Sequence, residues 1–89
     1  MPTLHILVKG KVQGVFYRAS AKEKADKIGI TGWIKNTASG DVEAMITGSD
    51  DLLKAFVSWC KQGPKRAEVS EVIVGEQQET AFKDFSILT

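Results

Sequence analysis

The passage from Val8 to Arg18, VKGKVQGVFYR, constrains the fold more than any other part of the 89-residue chain, because it enters as a strand and leaves as a helix. Leu4, Ile6 and Val8 alternate with His5, Leu7 and Lys9, the period of a strand with one buried face, although Leu7 blurs it. The pattern breaks at Gly10 and again at Gly14, and Arg18 stands at the entry to a helical stretch. A glycine-punctuated turn between strand and helix can aim several backbone N–H groups at one point. The first N–H groups of the helix have no intrahelical partner and lie at the positive end of its macrodipole. An arginine beside them adds a planar fork of donors that matches phosphate or carboxylate oxygens. Gln13, Gly14, Val15, Phe16, Tyr17 and Arg18 thus describe an anion cradle, for phosphate above all, with Gly10 shaping its approach. The same residues also describe a tight turn beside a surface arginine, and at this point both readings stand. A Walker loop is ruled out: no Gly-Lys-Ser/Thr is present, so the lysine and the magnesium-binding hydroxyl are missing.

The rest of the chain fills in a regular order. Helical spacing of Ala21, Ala25 and Ile28 predicts a helix from about Phe16 to Ile28, closed by Gly29. Ile30–Asn36 and Val42–Thr47 alternate as strands around a short turn, Thr37–Asp41, that contains Gly40 and suits a hairpin. Gly48, Ser49, Asp50 and Asp51 open a second helix, with Ser49 as N-cap and the aspartates complementing the dipole. Leu52, Leu53, Phe56, Trp59 and Cys60 form its apolar stripe, and Gly63-Pro64 stops it. Lys65 and Arg66 form a small basic turn. A fourth strand is expected over Ala67–Val74, where the run Val72-Ile73-Val74 calls for a bulge or two-sided burial. Gly75–Thr80 reads as a polar loop and Phe82–Leu88 as a last short strand.

Strand, helix, strand, strand, helix, strand is the split βαβ pattern of an α+β, ferredoxin-like fold. It predicts a mainly antiparallel sheet with two helices on one face and an extra terminal strand. Its topology makes the first two strands run parallel, so the loop after the first and the end of the second, Asn36, share one rim. An Asn at a strand end can simply bond its own hairpin; opposite an anion cradle it acquires a second use.

Charge and composition narrow the function classes. Twelve basic and eleven acidic residues are interspersed without a basic block, so a nucleic-acid partner is not expected, although Trp33 on a strand is one candidate aromatic platform for an RNA-binding domain of this topology. Cys60 is the single cysteine, which precludes an intrachain disulfide and reads as a core residue. One His and one Cys suggest no metal site. No cationic segment followed by a long apolar run opens the chain, and no stretch approaches the roughly 20 apolar residues that span a bilayer. The expectation is one cytoplasmic domain over residues 1–89, monomeric, complete by itself and away from membranes.

Two motifs then carry a resemblance. Gly10-Lys11-Val12-Gln13-Gly14-Val15-Phe16-Tyr17-Arg18 is similar to the first motif of the acylphosphatases, Gly-x-Val-Gln-Gly-Val-x-Phe-Arg, with Tyr17 where the family usually has phenylalanine. Gly32, Trp33, Lys35, Asn36, Gly40, Val42 and Gly48 fit the spacing of the second, with Ile34 bulkier than usual. The resemblance covers the whole chain. It implies hydrolysis of acyl phosphates, which are mixed carboxylic–phosphoric anhydrides, to a carboxylate and inorganic phosphate, without metal or cofactor. It also implies that Arg18 binds the phosphate and that Asn36 positions the attacking water. Thr37 is expected to steady the Asn36 amide. His5, though tempting as a catalyst, is expected to have a structural or surface role. The alternative is a non-catalytic phosphate-binding regulatory module on the same fold, since this fold hosts many functions.

Overall fold

A computed structural model of the chain describes residues 1–88. The elements are β1 (Thr3–Lys11), α1 (Tyr17–Ile28), β2 (Thr31–Asn36), β3 (Val42–Thr47), α2 (Asp50–Gln62), β4 (Glu68–Gln77) and β5 (Phe85–Ile87). The strands form one sheet in the order β4-β1-β3-β2-β5. Every pairing is antiparallel except β2 with β5. This is the ferredoxin-like α+β arrangement expected from the sequence.

Alternation decides which face of the sheet is covered. Ile6 and Val8 of β1, Ile34 of β2 and Val42, Ala44 and Ile46 of β3 are all buried. They meet Tyr17, Ala21 and Ala25 of α1 and Leu53, Phe56 and Cys60 of α2. α1 packs over β2 and β5, α2 over β4 and β1, and the two helices touch. The residues between lie on the other face, where His5 Nε2 sits 2.6 Å from Glu43 Oε2 and Lys35 pairs with the same carboxylate at 3.7 Å.

Four expectations are corrected. β4 does not end at Val74: Gly75, Glu76 and Gln77 pair with His5, Leu4 and Thr3 of β1. Backbone pairing extends a strand whose outer edge is solvated, so no apolar residue announces it. The run Val72-Ile73-Val74 is neither bulged nor buried on two sides. The register shift lies earlier, between Lys9 and Gly10, and Ile73 and Val74 remain exposed on an edge strand. β5 is only Phe85–Ile87, the part with a partner in β2. Ser49 occupies the N-cap of α2, yet its side chain makes no capping bond, and Asp50 and Asp51 carry that helix start.

Candidate active site

β1 ends at Lys11 and α1 begins at Tyr17, so Val12 to Phe16 make the whole crossing from strand to helix. Val12 and Val15 are buried and pin this loop from within. Gly14 has φ +73°, and a Cβ there would meet nothing within 4 Å. Glycine is needed for conformation and not for lack of room, and the space beside the loop stays open. Phe16 is also left-handed, at φ 64° and ψ 22°. Left-handed residues within a turn are the conformation from which anion-binding nests of successive N–H groups are built, and two flank Val15.

The start of α1 is unusually bare. Phe16 offers no side-chain cap, and the first turn carries no acidic residue. The positive end of α1 therefore meets no capping or acidic side chain from its own first turn, in contrast to α2 with Asp50 and Asp51. Arg18 lies in that first turn, half-buried, with no ion-pair partner among the described residues.

Asn36 is the last residue of β2 and pairs with Val42, which pairs in turn with Val8. It shares the helix-side face with Ile34 and so points away from the open face of the sheet. Its Oδ1 is buried with no hydrogen-bond partner. The amide oxygen has not been spent on the hairpin, which was the structural use open to it. Leaving a buried acceptor unmet costs about 1–3 kcal/mol.

The hairpin satisfies itself by other means. The Thr37 N–H donates to the Asp41 carbonyl at 2.9 Å, and the Asp41 N–H donates to Thr37 Oγ1 at 3.1 Å. Thr37 Oγ1 also meets Ser39 Oγ at 3.1 Å. Thr37, expected to steady the Asn36 amide, thus shapes the turn instead, because its hydroxyl is engaged there. Gln13 joins the two halves of the rim. Its Nε2 donates to the carbonyls of Thr37, at 2.9 Å, and Asp41, at 2.8 Å. Both amide protons are used, so the side chain clamps loop to hairpin and only its backbone is left for an anion.

Tyr17 and Gly10 serve the frame. The Tyr17 side chain is buried against Trp59, with ring centroids 5.3 Å apart. Its hydroxyl donates to the Cys60 carbonyl at 2.8 Å, satisfying one of the last-turn carbonyls of α2 that no helix can pair internally. Burial holds the phenol far above its ordinary pKa, and burial pushes the Cys60 thiol from 9.0 up to about 12. Gly10, at φ +126°, lies against β4, where a Cβ would stand 2.2 Å from the Glu68 carbonyl oxygen. Its role is strand pairing and not anion binding.

Gly14, Phe16 and Arg18 line a cavity of about 320 Å³ together with Val12, Ala19 and Ile87. Ile87 joins the site through the β2–β5 pairing, which no local pattern near the motifs could announce. A larger groove, about 740 Å³, lies between α2 and β4 and contains neither Arg18 nor Asn36. Its size does not make it the site, since it lacks the donors that the loop provides.

The family model for acylphosphatase matches residues 4–87. The chain belongs to the acylphosphatase family. It is 50% identical over 82 residues to the acylphosphatase of Marinobacter nauticus, covering 91% of this chain and 89% of that one. Among solved structures, an acylphosphatase from Coxiella burnetii superposes with a TM-score of 0.94 at 39% identity, covering 98% of this chain and 92% of that one. The acylphosphatase of Bacillus subtilis does so with a TM-score of 0.96 at 34% identity, with each chain covered in full at 100%. The fold, the family and the hydrolase class expected from the two motifs are those found.

Proposed function

We propose that this protein hydrolyses acyl phosphates to a carboxylate and inorganic phosphate, with the loop amides of Gln13 to Arg18 and the Arg18 guanidinium holding the phosphoryl group and Asn36 holding the attacking water. The chemistry asks for little else. The leaving carboxylate has a conjugate acid of pKa about 4, so it departs without a proton and needs no general acid. What remains is to hold the phosphoryl group, spread its charge and place a water in line. The water oxygen bonds to phosphorus as the bond from phosphorus to the acyl oxygen breaks. A phosphate oxygen of the substrate takes the water proton, because an amide is no base near neutral pH.

The observation that carries the assignment of the water is the place of Asn36, the last residue of β2, on the rim that the Gln13 clamp joins to the loop. The hairpin is closed by Thr37 and Asp41 between themselves, so the Asn36 amide is not committed to the turn and is available to orient a water. Among the described residues no group of three or more His, Cys, Asp or Glu is placed to hold a metal ion. We place the enzyme in the cytoplasm as a monomer; the free, buried Cys60 suits a reducing compartment. The test is steady-state kinetics of Asn36→Ala on benzoyl phosphate, with inorganic phosphate as competitive inhibitor. A large fall in kcat with the phosphate inhibition constant nearly kept is the expected result. A raised KM with kcat spared would remove Asn36 from the water site.

A further inference from the structure

Phosphate capture can account for a left-handed turn at position 16 but not for the bulky side chain of Phe16 placed on it. Phe16 is the one non-glycine residue at positive φ among those described. For a bulky side chain that conformation is a genuine outlier, with a cost of order 1–3 kcal/mol. Glycine or asparagine would hold the same turn with less strain. Phe16 is also 73% exposed, so no burial in the core offsets the strain. Both penalties fall on the residue that stands between the loop glycine and Arg18 on the wall of the 320 Å³ cavity.

The cavity is larger than the phosphoryl group needs, near the lower bound of about 300 Å³ for sites that take whole small molecules. In-line displacement places the leaving acyl group across phosphorus from the water. Asn36, the water's holder, does not line this cavity, whereas Val12, Phe16, Ala19 and Ile87 do, and these are apolar side chains. We infer that Phe16 is a specificity-determining residue, its exposed ring forming a platform that receives the acyl group and favours acyl phosphates with a flat apolar face over small aliphatic ones. This rests on the acyl phosphatase reading and names a substrate class for it. The strain at Phe16 then has a function: the left-handed turn that gathers the loop N–H groups also holds the ring out at the mouth of the site.

The test compares benzoyl phosphate with acetyl phosphate as substrates of the wild-type protein, Phe16→Asn and Phe16→Tyr. Asparagine tolerates the left-handed conformation and removes the ring; tyrosine keeps the ring. Any general damage to the loop affects both substrates and cancels in the ratio of their kcat/KM values. An aromatic contact of ordinary strength predicts that the benzoyl-to-acetyl ratio falls roughly threefold to tenfold in Phe16→Asn and is retained in Phe16→Tyr. A ratio that is the same in Phe16→Asn and wild type would overturn the platform. If the wild-type protein turned over neither substrate, the hydrolase reading itself would fall, an outcome distinct from an unmoved ratio.

Discussion

Arg18 and Asn36 are each expensive for the fold and unexplained by it. A half-buried guanidinium stands without an ion-pair partner among the described residues, and a buried amide oxygen stands without a donor. In the proposed reaction the phosphoryl group would meet the guanidinium and the attacking water the amide. An arginine that stabilises a phosphoryl-transfer transition state is worth roughly 10³ to 10⁵ in rate. Arg18→Ala is therefore expected to lose activity by about that factor, and Arg18→Lys to recover little, since a point charge replaces a fork; a lysine variant near wild-type kcat would show that charge alone suffices. Tyr17 and Cys60 give a prediction on stability. Both have folded-state pKa values raised by burial, with Cys60 moved from 9.0 to about 12. Below pH 9 neither group distinguishes folded from unfolded chain. Above it the unfolded chain releases protons that the fold retains, so stability should fall as pH rises from about 9 toward 12. Urea midpoints across that range measure it, and Cys60→Ala should flatten the slope. Tyr17→Phe removes the bond to the Cys60 carbonyl and should cost about 1 kcal/mol, a drop in Tm of about 4–8 °C for a domain of this size.

The loop Val12–Phe16 and the hairpin Thr37–Asp41 work as one unit because Gln13 ties them at two carbonyls. If that clamp sets the distance between phosphoryl group and water, its loss acts on turnover. In Gln13→Glu an ionised carboxylate would face two carbonyl oxygens with nothing to donate. The expected fall in kcat near neutral pH is about 10²-fold, the usual result of a misplacement near 1 Å. Activity relative to wild type should recover as pH drops and the carboxyl regains a proton to donate. A pH-independent ratio would mean that the clamp is not what positions the site. Much at this scale was legible in the chain. The alternation in β1, β2 and β3 and the stripes of both helices placed the core, because those faces are buried on one side only. Asn36 and Arg18 could be placed on one rim from strand order alone. The clamp could not be foreseen, since nothing in Gln13 names carbonyls 24 and 28 positions away. Nor could the tail of β4, whose strand character comes from its partner β1, or the left-handed turn at Phe16, a residue whose intrinsic preference is against it.

Across the whole molecule the sheet separates function from support. The rim above β1 and β2 carries the donors, and the helices cover the adjoining face. The opposite face is held by cross-strand pairs such as His5–Glu43. His5→Ala should leave kcat and KM near wild type, with any loss confined to stability; a large fall in kcat would bring the open face into the chemistry. The account as a whole stands on a phosphoryl group held by loop amides and Arg18 and hydrolysed without a metal. Hydrolysis of benzoyl phosphate by the purified protein in EDTA, beside Arg18→Ala under the same conditions, tests this most directly. Sustained turnover in the wild type, lost in the variant while its fold is retained, is the predicted result. Turnover abolished by EDTA and restored by a divalent cation, or equal rates in the two proteins, would contradict it.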